Sequence, residues 1–136
     1  MKKAPFRPDG FMPRLLVVDD DPSALALVDK ILRSDSCLVT CVASAELALK
    51  QLNQTSGFDV LLVDAMMPEM DGYQLVRSIR ADARFTDLPV LMMTRKLQRE
   101  DFKLALNSGV TDYVIKPLDA ALLKEKVRSL VGKRPS

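Results

Sequence analysis

Five short apolar runs recur along this chain, and each is followed by a longer stretch with helical spacing. The runs are "RLLVV" at 14–18, "CLVTCV" at 37–42, "DVLLV" at 59–63, "LPVLMMT" at 88–94 and "TDYVIK" at 111–116. The helical stretches are expected near 23–33, 44–53, 72–81, 98–107 and 119–131. Leu25, Val28 and Leu32 form a stripe on the first, Leu75, Val76 and Ile79 on the third, and Leu123, Val127, Leu130 and Val131 on the last. Gly109 is placed to stop the fourth. Strands alternating with helices build a parallel sheet covered on both faces. The most uniformly apolar strands, at 15–18, 60–63 and 88–93, are expected at its centre.

A chain of 136 residues is long enough for one core and too short for two. The expected organisation is a domain over 14–131, with flexible ends at 1–13 and 132–136. A formal net charge of +2 with 28% charged residues, and no basic block, argues against direct nucleic-acid binding. No apolar run approaches the ~18 residues of a membrane span. The start "MKKAPFRPDGFMP" is interrupted by Pro and Arg before any apolar region, so it does not read as a secretory signal. A cytoplasmic location is expected.

Cys37 and Cys41 fit that compartment. On a strand they lie roughly 13 Å apart at ~3.3 Å per residue, beyond the ~7 Å Cα separation that a disulfide spans, so both are expected to be free and on one face. With no histidine and only these two cysteines, a zinc cluster is excluded.

The chemistry gathers at the strand ends. For five strand–helix units the order 2-1-3-4-5, a flavodoxin-like doubly wound α/β sheet, opens a crevice at the carboxyl ends of strands one and three. Those ends carry Asp19-Asp20 and Asp64, some 45 residues apart. Two carboxylates about 4 Å apart repel by on the order of 4 kcal/mol at an effective dielectric near 20. Such a group must raise its own pKa values or recruit a cation, and an all-oxygen set suits Mg²⁺. A carboxylate beside that ion can act as a nucleophile toward a phosphoryl group. Thr94 at the end of strand four offers a hydroxyl, and Lys116 at the end of strand five offers an ammonium.

Each residue alone also has a plainer role. Asp21-Pro22 reads as a helix start. Asp19, Asp20 and Asp64 could be loop or turn acids, Thr94 structural, Lys116-Pro117 a strand exit, and Tyr113 a half-buried strand aromatic. Met66, Met67 and Met70 read as packing residues, and Arg95, Lys96, Arg99 and Glu100 as a solvated face. What favours the chemical reading is that four strand ends supply what one site requires.

Taken in order, "LLVVDDDP", "DVLLVDAMMPEMDGYQLV", "LPVLMMT" and "SGVTDYVIKPL" resemble the receiver domain of two-component response regulators, of the chemotaxis-regulator type, over roughly 14–131. The resemblance implies that Asp64 accepts a phosphoryl group from a histidine kinase or phosphotransfer protein. It implies that Asp19, Asp20, Asp64 and the backbone carbonyl of Met66 hold Mg²⁺ or Mn²⁺. Thr94 and Lys116 become the switch hydroxyl and the phosphate-binding lysine, and Tyr113 the aromatic that turns inward as Thr94 moves. The Lys116-Pro117 bond is expected to be cis. A downstream output domain or effector is the implied partner, with no membrane association. A monomer or weak dimer is expected to use the face of strand four, the following helix and strand five. The role is signalling, limited to self-catalysed phosphotransfer and dephosphorylation.

One departure is Arg95, where the family usually has a small residue after the switch hydroxyl. It could hinder the phosphodonor or pair with phosphoryl oxygens. A receiver-like scaffold that is never phosphorylated is therefore one alternative. Another is a haloacid-dehalogenase-type phosphatase, since "DDDPS" places Asp19 as nucleophile and Asp21 as acid. That enzyme needs a further acidic pair after its lysine, and beyond Lys116 the chain has only Asp119 and Glu125.

Overall fold

The computed structural model describes residues 10–95 and 109–133, with Lys103 and Asn107 between them. Its elements are β1 (Arg14–Val18), α1 (Pro22–Arg33), β2 (Leu38–Val42), α2 (Ala45–Gln54), β3 (Val60–Asp64), α3 (Gly72–Arg80), a 3-10 turn (Ala83–Phe85), β4 (Val90–Thr94), β5 (Asp112–Ile115) and α4 (Ala120–Lys133). All four strand pairings are parallel, in the expected order β2-β1-β3-β4-β5. Apart from Lys103 and Asn107, the helix expected over 98–107 lies outside the described residues.

The period-2 alternation of the strands divides the core into two layers. Leu16, Val18, Leu61, Val63, Val90 and Met92 face one way and pack with residues of α2 and α3. Leu15, Val17, Val60, Leu62, Leu91 and Met93 face the other way, against α1 and α4. β1, β3 and β4 are thus buried on both faces, as uniformly apolar strands should be. β2 lies at an edge and is more exposed. It starts at Leu38 rather than Cys37, because Ser36 takes a left-handed φ of 63° and the Cys37 N–H bonds back to Leu32 O. Both cysteines are free, but only Cys37 is buried, while Cys41 is exposed on the edge strand.

The helices begin where side chains can answer unpaired N–H groups. Asp21 accepts from the Ser23 N–H at 3.0 Å with Pro22 at the first helical position. Ser44 accepts from Leu47 N–H, and Asp71 and Gln74 form a reciprocal capping box. Asp119, expected as the first residue of the last helix, instead stands just before it and accepts from Leu122 N–H at 3.1 Å.

Charged side chains fasten the layers. Buried Asp35, in the turn after α1, pairs with both Arg128 guanidinium nitrogens that face it from α4. Arg80, half-buried at the end of α3, donates from Nε to Gly109 O at 3.0 Å and from one terminal nitrogen to Phe85 O at 2.6 Å and Thr86 O at 3.3 Å. It therefore ties α3 to both flanks of β4. Replacing Arg80 with Ala strands several carbonyls and is expected to cost about 2–3 kcal/mol in urea unfolding. Arg80→Lys recovers little, because a single ammonium cannot reach all three carbonyls as the fork does.

Candidate functional site

The carboxyl ends of β1 and β3 lie side by side, since Val18 pairs with Val63. Asp19 follows β1, held by its own N–H bonding to Val42 O and fully buried. Asp64 is the last residue of β3, level with Met93 of β4, and only 8% exposed. Asp20 is exposed at the mouth. One carboxylate oxygen from each of Asp19, Asp20 and Asp64 can be chosen so that all three lie within 4.8 Å of one another.

Lys116 enters from the end of β5, where its backbone N–H bonds Thr94 O at 2.7 Å and its peptide bond to Pro117 is cis. Its Nζ lies 2.8 Å from Asp19 Oδ2 and 3.4 Å from Asp64 Oδ1. Asp19 spends its other oxygen on the Asp21 N–H at 3.0 Å. Asp21 is occupied as the cap of α1, so the Asp19–Asp21 pairing that a phosphatase would use is not set up.

Burial pushes the Asp64 carboxyl above its ordinary range, and neighbouring Asp19 pushes it further, against the opposing pull of Lys116 and the Met66 N–H. For Lys116, burial is the largest single influence and lowers its pKa. The hydrogen bond to Asp19 and the charges of Asp64 and Asp19 together outweigh it, so the ammonium sits above the ordinary value. Because folding raises the Asp64 pKa, the folded, metal-free protein binds that proton more tightly than the unfolded chain. Its stability contribution therefore falls as pH rises from the ordinary 3.8 through the raised value. Urea unfolding in chelator should accordingly show Asp64→Asn gaining on the parent protein as pH rises through that window. A difference independent of pH would refute the assignment.

With all three acids ionised and one ammonium among them, the crevice keeps two uncompensated negative charges. An all-oxygen, anionic, partly buried donor set fits a hard divalent cation such as Mg²⁺.

The remaining candidates lie on β4, β5 and the segments that follow β3 and β4. Thr94 is buried at the end of β4, next to exposed Arg95. Tyr113 is half-buried on β5, paired in register with Met92. Met66 is 75% exposed. One contributor has no motif of its own in the sequence. Gly72 closes the β3–α3 loop, its N–H bonding Ala65 O at 3.0 Å, and a Cβ there would meet Asp64 O at 2.3 Å. The Asp71-Gly72 pair signals a turn or helix start, but not that approach.

A model of the response regulator receiver domain family matches residues 15–128. The chain belongs to that family. Chemotaxis protein CheY of Pseudomonas aeruginosa is 35% identical over 117 residues, 86% of this chain and 94% of that one. The transcriptional regulatory protein BaeR of Escherichia coli is 34% identical over 123 residues, 90% of this chain but 50% of that protein. The receiver domain of a Pseudomonas aeruginosa sensor histidine kinase, solved with a magnesium ion coordinated in its active-site cleft, superposes with a TM-score of 0.83 at 28% identity. That match covers 90% of this chain and all of that domain. Receiver domains accept phosphoryl groups in two-component signalling, and that is the function of this chain's family. Among the described residues, no helix of this receiver domain is long and apolar enough to cross a membrane.

Proposed function

We propose that Asp64 is the phospho-accepting residue of this receiver domain, that Asp19, Asp20, Asp64 and the Met66 carbonyl hold Mg²⁺ or Mn²⁺, and that Thr94 and Lys116 bind the phosphoryl oxygens. The observation that carries this reading is the convergence of three carboxylates from β1 and β3 on one point, with the β5 lysine bridging two of them. An Asp64 oxygen attacks phosphorus on a phosphohistidine or a small acyl phosphate. The P–O bond to Asp64 forms as the bond to the donor breaks, and the leaving group departs with the electron pair. Bound magnesium supplies charge neutralisation for the phosphoryl oxygens.

Lys116 is positioned for the same task from the β5 side, since positioned charge is most of what phosphoryl transfer asks of a protein. Thr94 offers the hydroxyl and Tyr113 the aromatic group that follows it inward. The change is displayed on the face that β4 and β5 share, toward an output domain or effector, and the helix expected to complete that face lies outside the described residues. A histidine kinase or phosphotransfer protein is the donor, in the cytoplasm. Hydrolysis of the phospho-aspartate by water completes the self-catalysed cycle. Arg95, exposed beside Thr94, is a modifier of the site, through donor access or by pairing with phosphoryl oxygens.

Acetyl phosphate with Mg²⁺, read by intact mass, tests the reading. The expected result is one phosphate-sized adduct that maps to Asp64 and vanishes on chelation or in Asp64→Asn. No adduct with any small donor would favour the unphosphorylated scaffold, and an adduct on Asp19 the phosphatase.

A further inference from the structure

Lys126 stands apart from the acidic cluster, on α4, and makes two contacts with β5. Its Nζ lies 3.2 and 3.3 Å from the two Asp112 carboxylate oxygens. The same Nζ lies 5.8 Å from the centroid of the Tyr113 ring, within cation–π range. The Lys126 side chain is 26% exposed and that of Asp112 34%, so the pair is partly shielded from solvent. Asp112 also accepts the Tyr113 N–H at 2.8 Å, which fixes the backbone that carries the ring. One carboxylate thus anchors both the ammonium and the strand residue beneath it.

We propose that Lys126 is a positioning residue for Tyr113: held by Asp112, its ammonium keeps the ring half-exposed and opposes its inward turn. The proposal rests on the switch role given to Tyr113 above and adds a threshold to it. A ring that turns inward leaves the ammonium, so every conformer with Tyr113 inside loses the cation–π contact. A cation–π contact at a partly exposed site is worth a two- to five-fold change in the equilibrium between two ring positions. Lys126 does not touch Asp64, Asp19 or Lys116 in any described contact, so it takes no direct part in the chemistry of phosphorylation.

The test incorporates 3-fluorotyrosine and reads ¹⁹F NMR, with Tyr113→Phe assigning the Tyr113 resonance against that of Tyr73. Spectra are recorded for the parent protein, Lys126→Met and Lys126→Arg, each with and without acetyl phosphate and Mg²⁺. Phosphorylation is followed by intact mass in the same samples. Without donor, Lys126→Met should move the Tyr113 signal toward its phosphorylated position by a two- to five-fold change in population ratio. Lys126→Arg, which keeps a cation over the ring, should restore the parent spectrum, and saturating donor should phosphorylate Asp64 in all three. An unchanged Tyr113 signal in Lys126→Met, alongside a shift on phosphorylation of the parent, overturns the role of Lys126. A Tyr113 signal that moves in Lys126→Met but not on phosphorylation overturns the threshold, and it refutes the switch role of Tyr113 rather than the contact. Equal shifts in Lys126→Met and Lys126→Arg would also overturn the proposal, because length rather than charge would then be lost.

Discussion

Lys116→Met is expected to slow phosphorylation of Asp64 by roughly 10²-fold or more, and in chelator to destabilise the protein by about 3 kcal/mol. The first effect follows from removing a preorganised positive charge aimed where phosphoryl charge develops. The second follows from what is left behind. Asp19 is fully buried and loses the 2.8 Å ammonium that neutralises it, while Asp64 loses its 3.4 Å partner. An uncompensated buried charge costs far more than a surface pair returns. The Lys116 pKa is raised above 10.5, so its stabilising contribution is complete at neutral pH and is lost only as pH climbs through the raised value. A divalent cation in the crevice replaces the missing charge, so the stability gap should narrow as Mg²⁺ is added. Urea unfolding with chelator and with Mg²⁺ measures both halves. An equal gap in the two conditions would mean that metal and lysine do not answer the same carboxylates.

Gly72→Ala is expected to destabilise the protein by about 2–3 kcal/mol and to slow phosphorylation at least tenfold. Helix propensity alone argues the opposite, because alanine is favoured over glycine in a helix by up to about 1 kcal/mol. Sterics decides the sign. The new methyl would lie 2.3 Å from Asp64 O and 3.0 Å from Ala65 Cα, and both are backbone atoms that no rotamer change can move. The β3–α3 loop has to shift, which carries the usual cost of overpacking. It takes Asp64, the proposed nucleophile, with it, and displacements on the order of 1 Å are costly to transfer chemistry. Gly132, on α4, is the internal control, since a Cβ there meets nothing within 4 Å. Gly132→Ala should be neutral or slightly stabilising. If Gly72→Ala matched it, the close approach to Asp64 would carry no weight.

The strands and their order were legible because uniformly apolar runs can only be central in a sheet covered on both sides, as β1, β3 and β4 are. The positions of Asp19, Asp20, Asp64, Thr94 and Lys116 were legible for a related reason. Each stands at or just past a strand's carboxyl end, and parallel topology gathers those ends. Gly72 against the Asp64 carbonyl, Arg80 across both flanks of β4 and Lys126 over Tyr113 were not legible. Each is a contact between different elements or loops, and none leaves a period or a motif. The start of β2 was misplaced by one residue because the left-handed turn at Ser36 has no glycine to announce it.

The most direct test of the central claim is titration with Mn²⁺ at neutral pH, followed by paramagnetic broadening of assigned amide signals. Saturable broadening is expected, centred on residues 19–21, 64–66 and 116, competed away by Mg²⁺ and strongly weakened in Asp20→Asn and Asp64→Asn. Broadening scattered over other surface acids, or unchanged by those substitutions, would contradict that claim.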